Sequence, residues 1–140
     1  MCGGFSVVKD IYKSDLYKLS EWRNENLPSF SAIKAKEVIP KNIITKEPTA
    51  ELKEDQKDSD SLPPYDVLDK ILYLLVEKES SINEIISKGY EPSLVTKVQN
   101  LLYNSEYKRR QAAPGVKISE RNFGYDRRYP ITNAFRDKEK

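Results

Sequence analysis

Three helix patterns follow one another between residues 63 and 111, and they constrain the fold more than any other feature of the chain. Prolines start the first and third patterns, a capping box at Ser81 and Glu84 starts the second, and Gly89 ends it. Apolar residues recur at helical spacing along each pattern: Val67, Leu68, Ile71, Leu72 and Leu75; Ile82, Ile85 and Ile86; Leu94, Val95, Val98, Leu101 and Leu102. We expect a small orthogonal bundle that supplies most of the core, with its third helix continuing to Lys108.

A further helix is predicted near the start of the chain, over residues 13–24. Its apolar residues Leu16, Leu19 and Trp22 fall on one side, and an aspartate lies in its first turn. Lys13 would occupy the helix start, where a positive charge is unfavourable for the helix dipole. A nearby anion is the simplest reason for a lysine at that position.

The other stretches are typical of loops and turns. Residues 27–38 predict a surface loop, residues 39–44 fit one short turn of helix, and residues 53–61 form a charged loop with three aspartates. Thr49 offers a hydroxyl that could cap a turn, which is the more frequent role, or bond a phosphate. The tail after Pro114 has no periodicity, so we expect neither a helix nor a clean strand there.

Three consecutive cations, Lys108, Arg109 and Arg110, end the last helical pattern. Guanidinium and ammonium groups on a rigid helix can be aimed at a phosphate or a carboxylate. The alternative is that these cations only offset the negative end of the helix dipole. The pattern alone leaves both interpretations open.

The apolar content of the sequence is low for a chain that must bury a hydrophobic core of its own. Of the 140 residues, 38% are hydrophobic and 33% are charged, so part of the chain is irregular or packs on something else. The net charge is +2, but residues 108–140 hold ten Lys and Arg against four Asp and Glu, which gives +6 there and −4 before it. A basic tail on an acidic body predicts an anionic partner for the tail.

Histidine is absent, and Cys2 is the only cysteine. These two facts exclude Ser–His and Cys–His catalysis, His-ligated metal sites and an intrachain disulfide. The N-terminus lacks the basic start and apolar run of a signal peptide, and the apolar cluster at residues 71–76 is too short to cross a membrane. We therefore expect a cytoplasmic protein with no membrane partner.

Five motifs, in one order along nearly the whole chain, together resemble the C-terminal portion of the synthetase domain of glutamine-dependent NAD synthetase. The motifs are Cys-Gly-Gly-Phe (2–5) with Lys-Asp-Ile-Tyr-Lys (9–13), Thr-Lys-x-Pro-Thr-Ala-Glu-Leu (45–52), Leu-Pro-Pro-Tyr-Asp (62–66), Tyr-Lys-Arg-Arg-Gln (107–111), and the stretch from Asn-Phe-Gly to Pro-Ile-Thr-Asn (122–133).

The resemblance implies a ligase reaction and its substrates. Members of the family adenylate deamido-NAD with ATP, and ammonia from a separate glutaminase domain then displaces AMP to give NAD. By resemblance, Lys13 and Thr49 match residues that contact ATP, and Tyr107 and Lys108 match the pair that contacts deamido-NAD. The resemblance carries over no catalytic residue and no metal ligand. ATP and Mg²⁺ enter as co-substrates of the family, and we expect neither to bind tightly to this chain alone.

The implied fold is a partial one. The family's phosphate-binding loop, Ser-Gly-Gly-x-Asp-Ser, its sheet, its metal-binding acid and its glutaminase half match no residues of this sequence. We predict a mainly α chain with an irregular C-terminal tail, which is a piece of an α/β Rossmann-like domain of the PP-loop ATPase type with its parallel sheet mostly missing. Its segments would be nucleotide-side loops and a first helix (1–62), three helices (63–111) and a basic tail (112–140).

The missing parts lead to an expectation about the chain alone. We expect an inactive fragment from an internal methionine or an interrupted gene, or one half of a split enzyme that a separately encoded N-terminal piece or self-association completes. Helices built to cover a sheet would expose their apolar faces without it. The roles of Arg109, Arg110, Arg127 and Arg128 stay open between pairing with acids and lining the site.

A different class of function also fits the tail. Aromatic residues alternate there with arginines, as expected of a small basic module that stacks on single-stranded nucleic acid: Tyr107, Phe123, Tyr125, Tyr129 and Phe135. Because the synthetase resemblance already accounts for the same cations, a nucleic-acid partner is the alternative hypothesis.

Overall fold

A computed structural model describes residues 4–35, 37–46, 48, 62–122 and 124–138. Over these ranges the chain is mainly helical and contains no β-strand, and one isolated parallel bridge joins Ser6 to Gly115. The chain divides into two compact units: the core unit (Met1–Ile11 with Asp66–Lys140) and the α1–α2 unit (Tyr12–Tyr65). No described helix is long and apolar enough to cross a membrane.

Six helices occur in the described residues, and their positions follow the sequence patterns closely. They are α1 (Lys13–Glu25), α2 (Lys41–Thr45), α3 (Tyr65–Val76), α4 (Ile82–Ser87), α5 (Pro92–Asn104) and α6 (Glu106–Gln111). The helix expected at residues 13–24, the short turn at 39–44 and the three helices that follow are thereby confirmed. The described tail after Gln111 contains neither a helix nor a strand, as expected.

The hydrophobic core is built from α3, α4 and α5. Its nine buried apolar side chains all lie on these helices: Leu68, Ile71, Leu75, Val76, Ile82, Ile85, Val95, Val98 and Leu102. Burial of each such side chain contributes about 1.5–3 kcal/mol relative to exposure, so this cluster is the main source of stability in the core unit. The prediction that these helices supply the core is confirmed.

The start and stop signals of α4 and α5 act as predicted. The Ser81 hydroxyl accepts a hydrogen bond from the Glu84 backbone N–H (3.3 Å), and the Glu84 carboxylate accepts one from the Ser81 backbone N–H (2.7 Å). Donation from Ser81 lowers the pKa of Glu84. Gly89 follows α4 with a positive φ of 93°, which a residue with a side chain rarely adopts. Pro92 begins α5, whose first turn is capped by Glu91.

The expectation that the third helix continues to Lys108 is wrong. α5 ends at Asn104, and α6 begins at Glu106 after Ser105, whose φ of −89° and ψ of 5° depart from helical values. The Ser105 hydroxyl donates to the Leu102 carbonyl at 3.1 Å, so the serine side chain competes with the helical hydrogen-bond pattern. The cations therefore lie on a separate short helix.

The first residues of the core unit pair with its tail through polar contacts that the sequence did not indicate. The Ser6 backbone N–H donates to the Pro114 carbonyl at 2.8 Å. The buried Asp10 carboxylate accepts hydrogen bonds from the Ile118 and Ser119 backbone N–H groups, both at 2.8 Å, and from the Ser119 hydroxyl at 2.7 Å. A side chain at Gly115 would place its Cβ 2.3 Å from the Ser6 carbonyl oxygen, so only glycine fits.

The α1–α2 unit is different, because none of its described residues is buried. α1 packs on α2, where Leu16, Ile39 and Ile44 are half-buried. Six other large apolar side chains of the unit are exposed to solvent: Leu19, Trp22, Leu27, Phe30, Ile33 and Ile43. We call these six side chains the apolar surface of this unit. Of the side predicted to be apolar, Leu16 is half-buried in a cleft with residues of α2, whereas Leu19 and Trp22 are exposed, and α1 as a whole is only weakly one-sided.

Candidate functional site

Lys13 is the first residue of α1, as the sequence predicted. The preceding Tyr12 has an extended backbone and provides no side-chain cap. Asp15 in the first turn pairs with Lys18 at 2.9 Å, and among the described residues no carboxylate forms an ion pair with Lys13. The Lys13 ammonium is therefore exposed beside the positive end of a helix dipole, which is an arrangement suited to an anionic ligand.

A cleft of about 520 Å³ lies between α1, α2 and the residues that follow α2. Two lysines line it, Lys13 and Lys46, together with the polar side chains of Tyr17, Ser20 and Asn42. Both cations are exposed, so the cleft combines positive charge with hydroxyl and amide groups that can bond phosphate or ribose oxygens. This cleft lies wholly within the α1–α2 unit.

Asn24 joins the end of α1 to the residues that precede α2, beside this cleft, and the sequence analysis did not predict this role. Its side-chain oxygen accepts hydrogen bonds from the Val38 and Ile39 backbone N–H groups, both at 3.0 Å, and its amide donates to the Ile39 carbonyl at 2.7 Å. These three bonds fix the chain entering α2 against the end of α1. An asparagine near the end of an amphipathic helix gives no signal of such a role in the sequence.

Thr49, the other residue predicted to contact ATP, lies outside the described residues. Pro48, its neighbour in the sequence, lines the same cleft as Lys13. The predicted role of Thr49 therefore stays a prediction.

Tyr107 and Lys108 lie side by side on α6 and are both exposed. The Lys108 ammonium is 6.0 Å from the centre of the Tyr107 ring, and no described carboxylate forms an ion pair with it. Tyr107 presents an aromatic face next to this cation. The pair therefore offers stacking and a positive charge together, which suits a nucleotide. The structure brings these two predicted residues together in the core unit, whereas Lys13 belongs to the α1–α2 unit.

The two arginines next to Lys108 have structural partners instead. Arg109 Nη2 donates to the Glu106 carboxylate at 2.7 Å and to the Leu102 carbonyl at 2.6 Å, and Arg110 Nε donates to Glu106 at 3.4 Å. Burial of Glu106 acts to raise its pKa, but hydrogen bonds from both arginines and the positive charge of Arg109 outweigh it, so the pKa of Glu106 is lowered. Of the three cations in the run, only Lys108 is left available for a ligand among the described contacts.

Glu106 is the residue that sequence reasoning missed at this site. It is 2% exposed, although a glutamate at a helix start is ordinarily solvated. The signal that could have found it is its spacing of three and four residues from the two arginines, which places all three side chains on one helix face.

The tail contributes a stacked cluster beside α5. The Tyr103 and Tyr129 rings stack with centroids 3.9 Å apart and planes 6° apart. Arg127 lies 5.1 Å from the Tyr103 ring centre, and Arg136 lies 5.2 Å from it. Burial lowers the pKa of Arg127, whose Nη1 has no hydrogen-bond partner among the described residues. Arg127 therefore packs on an aromatic face, while Arg128 is exposed.

This cluster bears on the nucleic-acid alternative as well. The Tyr129 ring stacks inside the protein, so that face is not available to a base. Tyr107, Tyr125 and Phe135 are exposed, and Phe123 lies outside the described residues. No described group of three Asp, Glu, Cys or His residues could hold a metal ion.

Comparison with known proteins decides the family. The family model described as NAD synthase matches residues 1–112, which is most of the chain. The chain belongs to the NAD synthase family. The resemblance drawn from the five motifs is thereby confirmed.

Individual members of the NAD synthase family match nearly the whole of this chain. It is 51% identical over 136 residues to the glutamine-dependent NAD(+) synthetase of Xylella fastidiosa strain 9a5c, a match that covers 97% of this chain and 24% of that protein. It is 49% identical over 137 residues to the Thermotoga maritima enzyme, covering 98% and 23%.

A solved structure gives the same result. The glutamine-dependent NAD+ synthetase of Acinetobacter baumannii, in complex with ADP, aligns with a TM-score of 0.54 and 39% identity over 98% of this chain and 22% of that one. The chain thus spans about a quarter of the length of the synthetases it matches.

Proposed function

We propose that this chain supplies part of the nucleotide site of a glutamine-dependent NAD synthetase. The parts of such a synthetase that this chain does not span complete the site. In that site Lys13 and Thr49 contact ATP, and Tyr107 with Lys108 contacts deamido-NAD. The observation that carries the proposal is the contrast on α6, where two of three consecutive cations are held by Glu106 and the third is exposed beside an aromatic ring.

The chemistry asked of these residues is modest and within their reach. Both nucleotides are polyanions, and positioned ammonium groups hold phosphates and offset charge that develops during adenylation. The described residues provide no cluster of carboxylates for Mg²⁺, so we assign no step of the reaction to a metal on this chain.

The exposure of these cations explains why the chain alone would be inactive. A charge pair 4 Å apart gains about 1 kcal/mol in water and about 4 kcal/mol at a partly enclosed protein surface. Lys13 and Lys108 lie on open surfaces of their own units, so they would bind nucleotides weakly until other parts of a synthetase exclude water around them.

The apolar surface of the α1–α2 unit supports the same proposal. Six large apolar side chains are exposed there, and no described residue of the unit is buried. We propose that the remainder of a synthetase, as a separate chain, covers this surface, and that the whole forms an α/β Rossmann-like domain of the PP-loop ATPase type in the cytoplasm. A homo-oligomer is the other arrangement that would cover it.

Reconstitution tests the proposal. The 140-residue chain, a Xylella synthetase from which the matching segment has been deleted, and a mixture of the two are each supplied with ATP, Mg²⁺, deamido-NAD and ammonia. We expect NAD formation only in the mixture, lost in Lys13→Ala and Lys108→Ala. Lys70→Ala on the exposed side of α3 is the matched control and should retain activity. NAD formed by the chain alone, or full activity of both lysine variants in the mixture, would contradict the proposal.

A further inference from the structure

The buried Glu106 carboxylate holds two arginines of its own helix, and one of them reaches the tail. Arg109 and Arg110 donate to it at 2.7 and 3.4 Å, and Arg110 also donates from Nη2 to the Tyr129 carbonyl at 3.0 Å. A charged carboxylate is rarely as buried as Glu106 unless it is paired and hydrogen-bonded. Glu106 therefore holds in place the residue through which α6 is attached to the tail.

Tyr129 carries the attachment further. Its carbonyl accepts a hydrogen bond from Arg110 Nη2 at 3.0 Å, its ring stacks on Tyr103 of α5, and its hydroxyl donates to the Phe135 carbonyl at 2.5 Å. One tail residue therefore contacts α5, α6 and a later part of the tail. α6 is held to this single residue by Arg110, which Glu106 in turn holds.

Such an attachment matters because α6 has only six residues. A helix of this length is unstable in isolation, so its direction and rotation depend on what it packs against. Successive helical residues are about 100° apart, so Lys108 points roughly 200° away from Glu106, towards solvent. Fixing the buried carboxylate fixes the directions of Tyr107 and Lys108.

We propose that Glu106 is a positioning residue that orients the Tyr107–Lys108 pair for deamido-NAD by holding Arg110, the side chain that ties α6 to Tyr129. This inference rests on the function proposed above. It adds a residue that touches no ligand and acts through its neighbours on the same helix.

The test uses the reconstituted mixture with Glu106→Gln, which keeps the shape of the side chain and removes its charge. We expect KM for deamido-NAD to rise about tenfold, because small displacements of binding groups have effects of this order, while KM for ATP changes less than twofold. Glu106→Asp, which restores the charge, should recover part of the loss. Glu120→Gln is the matched control, because Glu120 is exposed and pairs only with Lys78 at 3.8 Å.

A purely structural role would lower the amount of active enzyme and leave both KM values unchanged, and that result would overturn the inference. If Glu106→Gln does not assemble, Arg110→Ala breaks the link of α6 to the Tyr129 carbonyl and should raise the same KM. A raised KM in Lys108→Ala with a normal KM in both Glu106→Gln and Arg110→Ala would overturn the positioning role alone. A normal KM in Lys108→Ala would overturn the proposed function, and this inference with it.

Discussion

The core unit and the α1–α2 unit differ in how amphipathic their helices are, and among the described residues only the core unit buries apolar side chains. Helices α3, α4 and α5 bury nine apolar side chains against one another, whereas none of the described residues between Tyr12 and Tyr65 is buried. The difference lies partly in the helices themselves, because α1 is polar overall and only weakly one-sided, whereas α3 and α5 carry pronounced apolar faces. A periodic apolar pattern predicts a helix with one apolar face, but it does not say whether other residues of the same chain cover that face.

This difference parallels the distribution of the predicted ligand contacts. In the core unit, Tyr107 and Lys108 are presented on a helix that buried and stacked groups hold in place. In the α1–α2 unit, Lys13 lines a cleft between α1 and α2, two helices with no buried residue. We infer that the first site is organised by this chain, while the second depends more on what covers the unit.

The largest expected effect contrasts two isoleucines. Ile71→Ala removes a fully buried side chain from α3 and should reduce the free energy of unfolding by about 3 kcal/mol. Ile43→Ala makes the same change in α2 at a side chain that is 61% exposed, and should cost less than about 0.5 kcal/mol. Denaturant unfolding followed by circular dichroism measures both. Equal losses would show that the α1–α2 unit has a core of its own or is covered by a second copy of the chain.

A smaller effect is expected from the charge buried in the core unit. Glu106→Gln should reduce the free energy of unfolding at neutral pH by about 2 kcal/mol, which is less than for fully buried pairs because Arg110 is partly exposed.

The pH dependence of this loss has a definite sign. Because the pKa of Glu106 is lowered on folding, its contribution is fully present above the ordinary value of 4.5 and disappears as the pH falls through the folded value. Urea unfolding between pH 7 and pH 3 should therefore show a gap between wild type and variant that closes with acidification. A gap of constant size would mean that the charge of Glu106 is not what stabilises α6.

A third substitution tests how the first residues of the chain are held to the core unit. Gly115→Ala would place a methyl group against the Ser6 carbonyl and should cost about 1.5 kcal/mol. Gly4→Ala is the matched control, because its added Cβ meets nothing within 4 Å. Hydrogen exchange of the Ile118 and Ser119 amides, which bond Asp10, should accelerate in the first variant alone. Unchanged exchange in Gly115→Ala would show that this pairing does not depend on close approach at the glycine.

Local signals made much of this fold predictable from the sequence. Capping residues and helical spacing act over a few residues, so the helices, the Ser81–Glu84 cap and the stop at Gly89 could all be read directly. The break between α5 and α6 could not be read in this way, because the hydrogen bond from the Ser105 hydroxyl to the Leu102 carbonyl leaves no pattern in the sequence. The pairing of Asp10 with Ser119 joins residues more than a hundred positions apart and leaves no periodic trace.

The sequence indicated the residues of the candidate site only in part. Lys13, Tyr107 and Lys108 were predicted as ligand contacts through motifs and stay predictions, and the structure exposes all three. The sequence could not separate Lys108 from the arginines beside it, because the run of three cations looks uniform until Glu106 is seen to be buried. The role of Asn24 was missed for a related reason, since its partners are backbone groups whose positions only the fold defines.

The central claim is that the apolar surface of the α1–α2 unit is covered by the part of a synthetase that this chain lacks. Trp22 lies in that surface, is 50% exposed and is the only tryptophan of the chain, so 5-fluorotryptophan labelling places one fluorine reporter there. The measurement is the change in its ¹⁹F shift between H₂O and D₂O, before and after adding the segment-deleted Xylella synthetase. We predict a solvent-sensitive signal that loses this sensitivity on mixing. A signal that stays equally sensitive in a mixture that forms NAD would contradict the claim.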